Sequence, residues 1–447
     1  MTDLSQRAAL SEDEAGLPGP AIGEPALSLE RRRPFRALGH REFRLLFGAY
    51  AVGDLGFWIS HISLQSEMAR ETNESSLWLG LLFFTTFIPM LLVAPLAGVV
   101  ADRVDRAKML IVTRAAVGVL AASLSVVVLA GLGAPWVLAA FGFGVGTLFA
   151  FMAPAQQAAT ANAVESDDLT SAISIQSAGN NLARIAGPAL AAPILAAWGA
   201  GWAFAIYAVS NVVMVVLLSR IRLTSHLDTS DEGSAWSQWK DGLRHARERP
   251  PAMAALLTMS VFSIFGVAHV ALLPVFTTDV LHQPRDDFTF LVIASAIGAV
   301  FGAFAMAMRR STPSLRTAAA WLAGFGVAAI AFSLSRSWTL SLAISLFIGF
   351  CYFSTTTAMN TLLQHLADDE KRGRIMGLFT LTWAGLIPFG GIWMGVVAET
   401  AGAPLAVGVG AAVCTVFALG VLVRGAVTHA SASDGRGGVQ LSTEPPR

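Results

Sequence analysis

The sequence predicts an all-α membrane protein of twelve transmembrane helices in two six-helix bundles, with both termini in the cytoplasm. Three observations lead there. The 447 residues are 54% hydrophobic and only 13% charged, whereas a soluble domain carries about 25% charged residues. Apolar stretches of about 20 residues, enough to cross a hydrocarbon core of ~30 Å, recur twelve times along the chain. The basic residues are sorted to one side of those stretches, as the positive-inside rule requires.

In chain order, residues 1–34 form a polar tail without the basic–apolar–small pattern of a cleaved signal peptide, and they read as disordered. "PFRALGHREFRLLF" (34–47) reads as a lead-in helix, so that 1–41 is cytoplasmic. The first bundle spans 42–219, with segments at about 42–66, 77–100, 107–130, 135–159, 168–198 and 200–219. A cytoplasmic linker, 220–250, contains "SAWSQWKDGLRHARERP". Trp236, Trp239, Leu243 and Ala246 share one helical face there, with Lys240, Arg244 and Arg247 off it, the pattern of a helix lying on a membrane surface. The second bundle spans 251–424, with segments at about 251–280, 287–308, 316–334, 338–364, 372–398 and 401–424. Residues 425–447 are a second disordered tail. With the N-terminus inside, all but four of the 30 Lys and Arg residues fall on the inner side; Arg70, Arg285 and Arg336 are outside, and Arg184 lies within a span.

The halves echo each other. "AVESDDLTSA" (163–172) precedes the fifth span and "LADDEKRGRI" (366–375) the eleventh, each with acidic residues where a helix N-terminus favours them. Two six-span halves in the same orientation are a known transporter plan.

The loop "GVVADRVDRAK" (98–108) concentrates charge of both signs between the second and third spans. The positive-inside rule asks for Arg and Lys there but not for Asp. Gly98, Asp102, Arg103 and Arg106 closely resemble the loop 2–3 signature of the major facilitator superfamily, with Asp105 where many members have Gly. The corresponding loop of the second half, "AMRRSTPSLR" (307–316), keeps the basic residues and lacks the Asp. The resemblance implies the major facilitator fold and a cytoplasmic latch between the halves, in which Asp102 faces the turn around Arg374–Gly377. In span 5, "SIQSAGNNLARIAGPALAAPI" (174–194) resembles the small-residue motif of the superfamily's drug antiporters. Gly187 and Pro188 are kept, while other glycines are replaced by Ser or Ala. Small residues allow close helix packing and Pro188 permits a kink. Together with "FRLLFGAYAVGDLGFW" (43–58), the chain is similar to the exporter branch that includes enterobactin and macrolide efflux proteins.

Ionisable groups inside a membrane are costly unless paired or wetted, and so mark function. Asp54, Trp58, His61 and Gln65 share a face of span 1. Asp54 lies about 12 residues in, roughly 18 Å of rise. Ser174, Ser177, Asn181 and Arg184 form a stripe on span 5. Asp54 and Arg184 are therefore expected to pair, directly or through water. Two roles are open to the pair: proton coupling, with protonation of Asp54 freeing Arg184 for an anionic substrate or another conformation, or a permanent structural contact. His61 is a candidate proton relay, while His269 reads as a satisfied core histidine. Glu67, Asp279 and Glu399 read as solvated helix-end acids. Thr357, Asn360 and Gln364 share a face of span 10. The resemblance puts spans 1, 4, 7 and 10 around the cavity, so these three, with Trp58, Gln65 and Asn181, are candidate substrate contacts. Gln156 and Gln157 are weaker ones, and Phe57, Phe262 and Phe265 are candidate apolar wall.

Net charge is zero, which gives no field for nucleic acid. Cys351 and Cys414 offer neither disulfide framework nor metal spacing. No phosphate-binding loop or zinc helix is present, and Asp54 lacks the second mid-span carboxylate of an aspartyl protease. No cofactor or metal is expected. The reading is a monomeric secondary transporter in the cell membrane, the inner one where there are two. Its partners are protons, membrane lipids and a small-molecule substrate, which it exports by proton-coupled alternating access. A lysophospholipid flippase, an uptake carrier and a transporter-like sensor are the alternatives.

Overall fold

The computed structural model describes residues 35–93, 96–97, 100, 104–221, 243–309, 311–367 and 372–434. Among these, ten helices are long and apolar enough to cross a membrane, and Ser76–Leu92 is a shorter apolar one. Leu169–Trp198 is a long helix outside that group. Its Ser, Asn, Gln and Arg side chains lower its hydropathy.

The helices of the first half are α1 (Arg41–Glu71), α2 (Ser76–Leu92), α3 (Arg106–Leu129), α4 (Pro135–Asn162), α5 (Leu169–Trp198) and α6 (Ala200–Leu218). After the linker come α7 (Pro250–Val261), α8 (Phe288–Ala307), α9 (Leu315–Leu334) and α10 (Trp338–Leu366). The eleventh span is broken into α11 (Arg372–Ala384) and α12 (Ile387–Ala401), with a proline in the first turn of α12, and α13 (Ala403–Asp434) follows. The seventh span continues beyond α7 to Val280 as π, 3₁₀ and α turns in succession. Pro274 lacks an N–H for a regular ladder, and the His269 ring reaches the Gly266 carbonyl at 2.7 Å. His269 is thus a buried, satisfied histidine.

Starts are set by short polar side chains. Asp105 accepts from the backbone N–H groups of Ala107 and Lys108 at the head of α3. Ser75, Ser314 and Ser337 cap α2, α9 and α10, supplying acceptors to N–H groups that no helix turn can satisfy. The sharp turns between α5 and α6 and between α12 and α13 pass through Gly199 and Gly402 at φ +77° and +88°, a left-handed conformation that favours glycine.

The two halves pack alike. α3 packs on α4 and α6, and α9 packs on α10 and α13; α2 pairs with α4 as α8 pairs with α10. Between the halves, α2 meets α12 and α5 meets α8, contacts that exchange under the repeat. Gly80 lies against Gly391 and Gly395 with no room for a Cβ, so α2 and α12 touch backbone to backbone.

Two sequence expectations are revised here. The lead-in helix is only a 3₁₀ turn, Arg36–Gly39, ahead of α1. It is tied down by Arg36 and His40, which reach Asp168 at 3.3 and 2.8 Å. Asp168 therefore anchors the N-terminal segment and makes no side-chain cap for α5. In the linker, Trp236, Trp239 and Lys240 lie outside the described residues. Residues 243–248 are helical, and His245 and Ala246 are buried against the protein.

Candidate functional site

The site is built where α1, α5 and α10 come together. Asn180 on α5 donates to an Asp54 carboxylate oxygen at 3.1 Å, a bond accessible to the surface. The expected Asp54–Arg184 pair is absent among the described residues. The Arg184 guanidinium instead lies over two aromatic rings, 5.5 Å from the centre of Trp58 and 5.4 Å from that of Tyr352. The reason is phase. Asn180 and Arg184 are one helical turn apart on α5, and α5 runs along α1, so each meets a different turn of α1: Asp54 first, then Trp58.

Aromatic side chains continue the walls. Phe57 stacks on His61 at 5.7 Å and lies edge-on to Trp58 at the same separation. The Trp58 ring is also edge-on to His61 at 5.8 Å. Within the second half, the fully buried Phe262 lies 5.5 Å from Tyr352. His61 is within the electrostatic reach of Arg184. Gly187 and Pro188 are buried, and Gly187 lies against the Cβ of Trp58 with no room for a side chain. This close approach brings Arg184 over the indole.

The other predicted contacts separate. Gln65 is only 1% exposed, and neither side-chain amide atom has a partner; it belongs to the closed end of α1 rather than to an open cavity. Asn181 turns back to the Ser177 carbonyl of its own helix, leaving Asn180, one residue earlier, to contact α1. Asn360 and Gln364 bond each other at 2.6 Å. Thr357 lines a different recess, with Thr361, Arg309 and Pro313. Gly98, Asp102 and Arg103 lie outside the described residues, as does the side chain of Arg106.

Three features escape the sequence reading. Tyr352 carries no charge or motif to flag it. Arg114, counted there with the inner-side charges, is two turns inside α3 and 2% exposed. Its guanidinium approaches Gly53, acts electrostatically on Asp54, and has an Nε without a hydrogen-bond partner. The third is a polar closure at the end away from the termini. There Ser66 bonds Asp286, Arg285 pairs with Glu74, and Glu399 accepts from Ser75 Oγ at 3.2 Å and from the Leu77 N–H at 3.0 Å. Each of these joins the first half to the second. Glu67 and Glu399 are accordingly not simple solvated acids: Glu67 is 3% exposed and paired with Arg70. Asp279 is exposed as expected.

The profile of a family described as transmembrane secretion effector matches residues 32–439. The chain is 24% identical over 355 residues to the staphyloferrin A transporter of Staphylococcus aureus (strain NCTC 8325 / PS 47), covering 78% of this chain and 87% of that one. Among solved structures, the nucleoside transporter NupG superposes with a TM-score of 0.66 at 12% identity, covering 86% of this chain and 98% of that one. A bacterial homolog of the human lysosomal transporter Spinster, inward-facing and unoccupied, superposes with a TM-score of 0.59 at 16% identity, covering 88% and 95%. At these identities the structural likeness shows the fold alone.

Proposed function

Because the chain belongs to the transmembrane secretion effector family of the major facilitator superfamily, multi-pass secondary transporters, we propose that it exports a small amphipathic molecule of drug or siderophore type in exchange for protons. Asp54 is the proton site, with His61 as relay. The observation that carries this reading is the environment of Asp54: a carboxylate mid-way along a membrane helix, reachable from the surface, whose hydrogen-bond donor is the neutral amide of Asn180. A carboxylate clamped by a contacting guanidinium is locked in its charged form. One held by an amide can exchange its proton as the site opens to one side and then the other.

The same reading puts both termini in the cytoplasm of a cell-membrane protein with bundles at 42–219 and 251–424. The polar closure then lies on the outer side, and the described conformation is inward-facing. Gly98, Asp102, Arg103 and Arg106 form the inner latch that engages when the protein turns outward. The distant similarity to a siderophore transporter supports a siderophore-type substrate.

The test uses purified protein in proteoliposomes and a panel of siderophores, macrolides, dye-like cations and lysolipids. A pH gradient should drive accumulation of at least one compound and reverse its direction when inverted. Asp54→Asn should keep substrate-for-substrate exchange but lose gradient-driven accumulation. Accumulation by the variant at the wild-type level would refute Asp54 as the proton site.

A further inference from the structure

Arg184 is a cation inside the membrane region that no acidic side chain among the described residues neutralises at ion-pair distance. The nearby acid, Asp54, is served otherwise: Asn180 holds it and Arg114 acts on it from within the first half. The positive charge at Arg184 is left to two rings. Arg184 is half-buried, and a cation over an aromatic face gains only about 0.5–2 kcal/mol, so the rings hold the group without neutralising its charge. The guanidinium carbon lies within 5.5 Å of both ring centres. The edge of the guanidinium carries the N–H donors, whose fork geometry suits a carboxylate or phosphate bound through two oxygens. Trp58 belongs to the first half and Tyr352 to the second, so the cation stands between the two moving bodies, where an alternating-access carrier must hold its cargo. Phe57 extends the apolar wall beside Trp58, and the fully buried Phe262 backs the Tyr352 ring.

We propose that Arg184, presented between Trp58 and Tyr352, is the anion-recognition point of the transport site, and that the substrate bears an oxyanion beside an apolar or aromatic body. This rests on the transport reading above and narrows its substrate class. Neutral and purely cationic amphiphiles are poor substrates on this view. The oxyanion is either the carboxylate of a soluble molecule or the phosphate of a single-chain lipid.

The test is a binding measurement in detergent with no proton gradient, using dansylglycine and its neutral amide, read by energy transfer from tryptophan. Wild type should bind the acid at least tenfold more tightly than the amide. Arg184→Gln should equalise the two, Arg184→Lys should keep part of the preference, and the elution profiles of all three proteins should match. Displacement of dansylglycine by citrate-type carboxylates places the oxyanion on a soluble substrate, and displacement by oleoyl lysophosphatidate alone places it on a lipid; both support the site. Equal wild-type affinity for acid and amide, or a preference that survives Arg184→Gln, overturns it. Proton-driven transport without an anion preference sinks this inference alone; an anion preference without proton flux sinks the coupling reading alone.

Discussion

At the residue scale, Arg114 is the base of the first half that acts on Asp54, while Arg184 stands apart over its aromatic rings. Arg114 is buried two turns inside α3 and acts on Asp54. Removing it takes a positive charge from the neighbourhood of the Asp54 carboxylate. Arg114→Gln is expected to lower the melting temperature and cut proton-coupled transport at least tenfold. Asp54→Asn combined with Arg114→Gln should recover the melting temperature but not transport; double-variant thermal unfolding beside flux assays checks this. The sequence marked Asp54, Trp58, His61 and Arg184, because charge and helical spacing are visible in one dimension. It mispaired Asp54 with Arg184, because the rotation and slide of α5 against α1 are set by Gly187 meeting Trp58, a tertiary contact. It also counted Arg114 with the inner-side charges, since an arginine two turns into a helix has the same sequence neighbourhood whether it snorkels outward or points inward.

At the element scale, closure depends on α2 against α12 and on the polar bonds near their ends. Gly391→Leu puts a branched side chain where Phe83 and the Gly80 backbone already sit. It is expected to abolish transport while the protein still reaches the membrane, as measured by flux normalised to membrane abundance. Arg285→Ala removes the partner of Glu74 across the halves. Spin labels on the two halves at that end should then report longer distances, with a larger outward-open population than in wild type. The helices themselves were legible from hydropathy. The irregular turns from Phe262 to Val280 were not, although Gly266 and Pro274 signal weakness in the ladder. Nor was the bridging role of Glu399, whose partners Ser75 and Leu77 are more than three hundred residues away.

At the scale of the whole molecule, the two halves share a packing plan but not the charged loop. α2–α12 and α5–α8 are equivalent contacts exchanged between halves, whereas the charged loop at 98–108 is strong in one copy only. Asp102→Asn is therefore expected to slow transport severalfold at equal membrane abundance, with the melting temperature little changed. Unaltered flux would remove the latch from the cycle. The measurement that bears most directly on proton-coupled export is simultaneous recording of substrate and proton movement in sealed proteoliposomes carrying an internal pH dye. A transported compound added to wild-type vesicles should drive proton movement in the opposite direction, and Asp54→Asn should abolish it. Substrate movement with no proton signal in wild type would contradict the mechanism and leave a uniporter or lipid carrier of the same fold.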